Sequence, residues 1–327
     1  MNRVFKKSVY IFNFIKKTYT AWDRNDPFAR SAIIAYYTLF SLPSLLMIVT
    51  TVAGYFFGRE AVQGKVSQQI AGYIGPDSAE AIEDMISKAT LNDGNLVTII
   101  IGLGALIYGA TGVFFQMKKA MNMIWNVREK KQTVVRMLKN RAVSFGMVLM
   151  LGFMLLVSLV LSAALAAFSE YLESFAPTLA AIFADILKFL LSFAFITALF
   201  AAIFKILPDI IMSYKTTILG ASITSVLFLI GEYGLGYYFT QGNPASVYGG
   251  AASVVLILLW VNYTCLILFF GAEITVQYAL ATKHKIVPNS HAELAYDQDI
   301  EELKKKEKQA LRDKAKAEQL KKNPEVD

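Results

Sequence analysis

Long runs of residues without a charged side chain most strongly constrain how this chain can fold. Three runs carry no Asp, Glu, Lys, Arg or His, and two more are each interrupted by two charged residues. These runs are Ser31–Gly58, Asn95–Met117, Ala142–Ser169, Ser174–Phe204 and Thr216–Thr282. An apolar run of about 18 or more residues is typical of a membrane-spanning helix. The last run is too long for one span, and the turn-forming stretch Gln241–Ser246 divides it into two.

The chain is therefore predicted to be an all-α integral membrane protein with six transmembrane helices. The predicted spans are about 31–58, 95–117, 142–169, 178–204, 216–240 and 247–282, within a transmembrane domain of residues 30–282. The composition agrees, because 55% of the residues are hydrophobic and 17% are charged, whereas soluble domains average about 45–50% and about 25%. Buried helices of a globular protein are the alternative for any single run, but their succession at membrane length favours the bilayer. A single cysteine, Cys265, excludes an intrachain disulfide.

The distribution of lysine and arginine predicts the orientation in the membrane. Residues before the first span are rich in basic side chains, and the loop 118–141 contains many basic residues and one acid, Glu129. The loops on the other side carry few basic residues or none. Because basic loops stay in the cytoplasm, both termini are predicted to be cytoplasmic. The net charge of +7 follows largely from this topology and does not indicate a nucleic-acid partner.

Three segments outside the spans are predicted to have distinct structures. Residues 1–29 form an amphipathic helix at the cytoplasmic interface, or alternatively a helix packed on the ends of the spans. Its apolar residues recur at roughly helical spacing: Phe5, Phe12, Ile15, Tyr19 and Trp22. The outer loop 59–95 is expected to form a short extracytoplasmic helical hairpin. Residues 283–327 form a charged cytoplasmic tail, which from Glu293 onward is typical of a solvated helix or disorder. The partners expected are the bilayer and, at the basic loops, anionic lipid.

Four ionisable residues lie inside the predicted spans, where an unpaired charge costs several kcal/mol and therefore suggests a function. At about 1.5 Å rise per residue, Asp185, Lys188 and Glu232 lie roughly 12–16 Å from the outer ends of their helices. They are predicted to form one outer polar cluster in which Lys188 pairs with an acid. Glu273 lies roughly 15 Å from the inner end of the sixth span. It is expected either to line a polar cavity or to bind a neighbouring helix end, and the sequence leaves both open.

Pro43 interrupts the first predicted span, where proline must kink or break a helix. Ser41 is placed to satisfy backbone carbonyls that the proline frees. A broken membrane helix often marks a substrate path, but a structural kink is an equal alternative. Pro43 and Ser41 therefore join the four ionisable residues as candidates for a transport pathway.

Several kinds of chemistry find no support in the residue pattern. There is no phosphate-binding G-x-x-x-x-G-K-[ST] loop for ATP. Both histidines, His284 and His291, lie in the tail, and no cluster has metal-ligand spacing. We therefore expect no enzymatic activity, no cofactor and no metal.

Five stretches of the chain, in the same order along the sequence, resemble the YihY/BrkB family of six-span bacterial inner-membrane proteins. They are AYYTLFSLPSLL (Ala35–Leu46), GATGVFFQMKKAMNMIWNV (Gly109–Val127), KILPD (Lys205–Asp209), VYGGAASVVLILLW (Val247–Trp260) and FGAE (Phe270–Glu273). The matching positions are Tyr36, Ser41, Pro43, Gln116, Asn122, Trp125, Pro208, Asp209, Tyr248, Gly249, Trp260, Gly271 and Glu273. The family often has an acidic or amide residue where this chain has Lys118 and Lys119, so the resemblance assigns no role to these two.

The resemblance implies an inner-membrane location and an association with virulence. The family was once labelled ribonuclease BN, but the residues of this chain argue against that activity. Transport of a lipid or another amphipathic anion is the function that the resemblance most suggests. A non-transporting membrane scaffold that acts through its basic loop and tail is the main alternative, and an intramembrane enzyme is the third. The sequence determines neither the substrate nor the oligomeric state.

Overall fold

The computed structural model describes residues 2–41, 96–130, 177–242, 252–282 and 286–296, with isolated helical positions between 142 and 157 and at 308–309. The five continuous ranges contain six helices of at least 15 residues and four short strands. The helices are α1 (Asn2–Arg24), α2 (27–41), α3 (Leu96–Ile124), α4 (Pro177–Ile206), α5 (Tyr214–Gly242) and α6 (Ala252–Ala281). The strands are β1 (Val127–Glu129), β2 (Ile210–Ile211), β3 (Val287–Pro288) and β4 (Ala292–Leu294).

Helix α6 is the centre of the described bundle, since it packs against α1, α3 and α5, while α4 packs on α5. Its sequence is apolar almost all round, as expected for a helix with neighbours or lipid on every side. Phe269 of α6, Phe204 of α4 and Met121 of α3 are among the fully buried side chains of the core. Three helices are thus joined through one apolar centre.

Two glycine–threonine pairs bring α5 and α6 into close contact. A Cβ added at Gly271 would lie 2.8 Å from Thr224 Cβ, and one added at Gly220 would lie 2.9 Å from Thr275 Cβ. Each threonine hydroxyl donates to the glycine carbonyl one turn earlier, over 2.7 Å in both helices. The hydroxyls are therefore satisfied within their own helix, and the glycines let the two backbones approach as in other membrane helix pairs.

Small side chains also hold helix α2 against α3 and α6. A Cβ at Gly109 of α3 would lie 2.9 Å from Ser41 Cβ. The fully buried Ser31 donates to Asn262 Oδ1 of α6 over 2.6 Å. The start of the first predicted span is thus anchored inside the bundle.

Two residues with positive φ end helices. Asp26 (φ 52°) follows α1, and Asn126 (φ 53°) follows α3. Asp and Asn are the non-glycine residues that most readily adopt this left-handed conformation, which often terminates a helix. The chain therefore turns sharply from α1 into α2, and from α3 into β1.

The strands form two antiparallel two-stranded sheets that the sequence pattern did not predict. β1 pairs with β4, so that Val127 lies opposite Leu294, and β2 pairs with β3, so that Ile210 lies opposite Pro288. The expectation of a solvated helix or disorder from Glu293 onward is therefore wrong for the first residues of that segment. The reason is tertiary, because the backbone groups of 286–295 find partners in two chain segments far away in sequence.

The membrane prediction is confirmed in its coarse form. Within the part of the chain that the structure describes, three helical segments are long and apolar enough to cross a bilayer: Phe189–Ile206, Tyr214–Phe239 and Val254–Ala281. Large apolar side chains on their outer surface are exposed, including Phe189 and Ile230, as suits contact with lipid. Helix α3 continues to Ile124, so Lys118 and Lys119 are on a helix and not in the predicted loop. The helix continues there because Ala120, Met121 and Ile124 are buried in the core.

Candidate functional site

Glu273 is a buried carboxylate with two amide partners. Its side chain lies within α6 and is 2% exposed. Gln277 Nε2, one turn later, donates to Oε1 over 3.0 Å, and Asn25 Nδ2 donates to Oε2 over 3.4 Å. Asn25 directly follows α1 and also donates to the carbonyl of Ala21. The carboxylate thus connects the end of α1 to the middle of the bundle.

Aromatic packing reinforces this connection. The Trp22 ring of α1 makes an edge contact with Phe270 of α6, with ring centroids 5.9 Å apart. Trp22 also contacts Phe28 at the start of α2, over 5.4 Å. The C-terminal end of α1 therefore packs against α6 and the start of α2, while Tyr10, Phe12 and other apolar residues of its first half are exposed. The contacts of Trp22 agree with the helix-packing alternative for this segment, and the location of α1 at the membrane interface stays a prediction.

Glu232 in the middle of α5 has the opposite environment. It is half-buried, and its Oε2 atom is buried without a hydrogen-bond partner among the described residues. The preceding residue, Gly231, packs so closely on α6 that an added Cβ would overlap the Tyr263 hydroxyl. The next residue, Thr264, likewise has a buried hydroxyl that lacks a partner in the described part of the chain. Glu232 and Thr264 are thus each next in sequence to a residue of the Gly231–Tyr263 contact between α5 and α6.

Several residues that the sequence singled out cannot be placed. Asp185 and Lys188 lie on α4, but their side chains are outside the described residues. Pro43, Tyr248, Gly249 and the expected hairpin in 59–95 also lie outside them. The outer cluster that pairs Lys188 with an acid stays a prediction. Ser41 is described: it is buried beside Gly109 and donates to the carbonyl of Thr38 over 3.2 Å.

Asp209, in the turn between α4 and β2, is the hub of a polar cluster beside the strands. Its carboxylate accepts from Asn122 Nδ2 over 2.8 Å, and its backbone N–H donates to Asn122 Oδ1 over 2.8 Å. Its carbonyl accepts from the N–H of Asn289 over 2.8 Å. One residue therefore joins α3, the α4–α5 connection and the chain that follows α6.

Lys118 completes this cluster, which we call the Lys118 cluster (Lys118, Asn122, Glu129 and Asp209). Its Nζ lies 2.8 Å from Glu129 Oε1 and 2.9 Å from Asp209 Oδ2. The three charged side chains are 14–18% exposed, so solvent screens them only in part. A lysine between two carboxylates offsets their mutual repulsion, and its loss would leave two acids facing each other.

A cavity of about 380 Å³ lies beside this cluster. It is walled by the last turns of α3, by β1 and by the chain after β4. The lining residues are Phe115, Lys118, Lys119, Asn122, Met123, Asn126, Val127, Arg128, Glu129 and Ala295. Most of the wall is apolar, and the charged lining residues are three basic side chains and one acid. Such a wall suits a ligand that is part apolar and part anionic.

The other family-motif positions that the structure describes are buried, pack against neighbouring side chains or lie at a helix surface. Trp125 is 3% exposed and Pro208 is also buried. Trp260 makes an edge contact with Phe228 over 6.0 Å. Tyr36 is exposed and contacts Phe40, with ring centroids 4.9 Å apart. Gln116 is half-buried on α3, and Gly271 forms the close α5–α6 contact described above.

Lys118 and Glu129 were not predicted from the sequence as interacting residues. A signal was present, because Glu129 is the single acid in a strongly basic stretch, and a lone acid often has a basic partner. The partner could not be identified among eight basic residues. Within the described residues, no group of three His, Cys, Asp or Glu side chains is placed to hold a metal ion.

Comparison with known proteins places these features in a family. The family described as virulence factor BrkB matches residues 18–294. A UPF0761 membrane protein of Vibrio campbellii is 26% identical over 280 residues, which cover 84% of this chain and 84% of that protein. A UPF0761 membrane protein of Vibrio vulnificus is 24% identical over 272 residues, covering 81% and 84% respectively. A Bacillus subtilis protein named as ribonuclease-like, YfkH, is 22% identical over 283 residues, covering 85% and 98%. No solved structure matches the chain.

Proposed function

The chain belongs to the virulence factor BrkB family of membrane proteins, and on that premise we propose that it moves a lipid or another amphipathic anion across the bilayer. The proposal needs no ATP site, cofactor or catalytic group. Candidates for the pathway are Glu232 and, from the sequence, Asp185, Lys188, Glu273, Pro43 and Ser41.

The environment of Glu232 carries the proposal. A carboxyl group in the middle of a membrane helix is costly unless it is paired or hydrated. One oxygen of Glu232 has no partner among the described residues, and the hydroxyl of Thr264 on α6 lacks one too. Buried polar groups with unused hydrogen-bonding capacity, each next in sequence to the Gly231–Tyr263 contact, favour a path for a polar moiety or water over simple packing.

We further propose six spans in the inner membrane with both termini in the cytoplasm. Under this topology the Lys118 cluster and the strands face the cytoplasm. Reporter fusions after residues 90 and 246 should read as external, and fusions after residues 130 and 285 as cytoplasmic. A cytoplasmic signal at residue 90 would overturn the topology.

Reconstitution tests the transport proposal. The full chain in liposomes should move at least one member of a panel of fluorescent lipids and amphipathic anions across the bilayer. Glu232→Gln keeps the size of the side chain but removes its charge, and should lower the initial rate at least tenfold. Asp23→Asn, which neutralises an exposed acid on α1, is the matched control and should keep the rate. Equal rates for wild type, Glu232→Gln and empty liposomes would end the proposal.

A membrane scaffold is the second candidate, and the Lys118 cluster favours it. There the charged groups are paired and two sheets fix the connecting segments, as suits a rigid docking surface. A scaffold should bind partner proteins through 118–130 and 286–296 and show no transport in the liposome assay. Transport that depends on Glu232 would exclude a purely structural role.

A further inference from the structure

The cavity beside the Lys118 cluster has the size and the chemistry of a headgroup site. Its volume of about 380 Å³ equals the space of roughly a dozen water molecules at about 30 Å³ each. It lies within the range of about 300–1,000 Å³ found for small-ligand pockets. A glycerol phosphate group fits into this space, whereas two acyl chains do not.

Three basic side chains and one acid line the cavity, and they differ in their surroundings. Lys118 is held between Glu129 and Asp209 at 2.8 and 2.9 Å, so its charge is already used within the protein. Lys119 and Arg128 also line the cavity, and both side chains are exposed to solvent. Arg128 carries five N–H donors in a planar fork that matches a phosphate group. Arg128 lies opposite Glu293 in the β1–β4 pair, and its five donors allow one guanidinium to bind a carboxylate and a phosphate together.

The apolar part of the wall indicates where the rest of the ligand lies. Phe115 lines the cavity, is 47% exposed and falls within the predicted second span. Met123, Val127 and Ala295 add further apolar surface. A ligand whose phosphate meets Lys119 and Arg128 can therefore direct its chains past Phe115 into the bilayer. A soluble phosphate would leave this apolar wall exposed to water.

We propose that this cavity binds the phosphate-bearing headgroup of an anionic membrane lipid, with Lys119 and Arg128 as its basic ligands. The site deepens the proposed function and rests on it in one respect, because a transported lipid must first be recognised at one surface. Binding at this cavity is nevertheless measured separately from transport.

The test uses the full chain, purified in detergent, and a fluorescent phosphatidylglycerol whose binding is followed by anisotropy. The double change Lys119→Gln/Arg128→Gln should weaken binding about tenfold, because two charge-assisted contacts are lost. Lys215→Gln/Arg24→Gln removes the same two residue types at exposed positions away from the cavity and should weaken it less than twofold. Equal loss in both doubles would mean general surface charge, and no loss in the first would mean a different site; either result overturns the proposal.

A shape variant covers the case in which the first double change misfolds. Ala295 lines the cavity, and its backbone N–H donates to the carbonyl of Asn126 over 2.9 Å. Ala295→Leu keeps that hydrogen bond and the net charge but fills part of the cavity, and should weaken lipid binding at least threefold. Full-strength binding by this variant would contradict the proposal.

Competition identifies the source of the phosphate. Millimolar inorganic phosphate or glycerol 3-phosphate should displace little of the bound lipid, because neither contacts the apolar wall. Displacement by inorganic phosphate at a concentration similar to that of the lipid would show a soluble-anion site and overturn the lipid assignment. Asp23→Asn, which changes an exposed acid that neither lines the cavity nor belongs to the pathway candidates, should leave binding unchanged. If lipid binding depends on the cavity but the protein transports no lipid, the proposed transport function is refuted and the binding site is retained.

Discussion

Two glutamates in apolar helices of the same bundle have opposite environments. Glu273 on α6 is 2% exposed and accepts hydrogen bonds from Gln277 and Asn25. Glu232 on α5 is half-buried, and one of its oxygens is buried without a partner among the described residues. The helices that carry them are neighbours. The same residue type therefore has two different relations to its surroundings within one structure.

The difference shows how a costly polar group can be used in a membrane helix. A buried carboxylate stabilises a fold when other groups satisfy it, and Glu273 has such groups from its own helix and from the end of α1. A carboxylate that is left partly unsatisfied lowers stability, and we interpret that cost at Glu232 as a sign of function. Glu273 was one of the pathway candidates, and its contacts are those of the helix-binding alternative.

The largest expected effect on stability comes from replacing a glycine that lies two residues from one of these glutamates. Gly271, two residues before Glu273, touches Thr224, whereas Gly234, two residues after Glu232, has no atom within 4 Å of an added Cβ among the described contacts. Gly271→Leu should destabilise the protein by about 3 kcal/mol or more, because two helix backbones must separate. Gly234→Leu is the matched control and should leave stability within about 0.5 kcal/mol. Unfolding in detergent by denaturant titration measures both, and equal losses would break the comparison.

Removing Glu273 should have the next largest effect. Glu273→Ala leaves the Gln277 amide without this acceptor, removes one of the two acceptors of the Asn25 amide, and should lower the free energy of unfolding by about 2–4 kcal/mol. Glu273→Gln retains one acceptor oxygen and should cost about 1 kcal/mol. A double-mutant cycle with Asn25→Ala should show coupling below about 1 kcal/mol, since that bond is 3.4 Å long. Coupling of zero would mean that Glu273 does not bind the end of α1.

Replacing Glu232 should affect transport strongly and stability little. Glu232→Gln should change the free energy of unfolding by less than about 0.5 kcal/mol, or raise it, because the charge of a half-buried carboxylate is removed and the size of the side chain is kept. Transport in liposomes should nevertheless fall at least tenfold. Stability and transport measured on the same preparation distinguish a pathway role of Glu232 from a packing role. A loss of stability as large as that of Glu273→Ala would show that Glu232 is a packing residue.

Removing the end of the tail should have the smallest effect on stability. Residues 286–296 pair with β1 and β2, and Ala295 is 7% exposed. Truncation after Tyr296 keeps all of these contacts and should change the free energy of unfolding by less than about 0.5 kcal/mol. Truncation after Ser290 removes β4 and is the contrasting variant, which should unfold at a clearly lower denaturant concentration. Identical behaviour of the two truncations would mean that β4 adds nothing to the fold.

Much of the fold was predictable because the information was local. The limits of α4 and α5 fall within two residues of the predicted spans at each end. The end of α3 was not predictable, since Lys118 and Lys119 look like the start of a loop until Met121 and Ile124 are known to be buried. Asn122 and Asp209 were found only as positions of a family resemblance. Their contact spans 87 positions of the sequence, and no local pattern encodes it.

The amino-acid sequence alone determined that this chain forms apolar helices of membrane length, because the free energy of moving such a helix into lipid depends mainly on its own side chains. It also determined which residues in those helices are ionisable. Only the tertiary structure decided what those residues do. Asn25 reaches Glu273 across 248 positions of the chain, while Glu232 finds no described partner for one of its oxygens. Whether a buried polar group is satisfied depends on which helices become neighbours, and that is a property of the whole packed bundle.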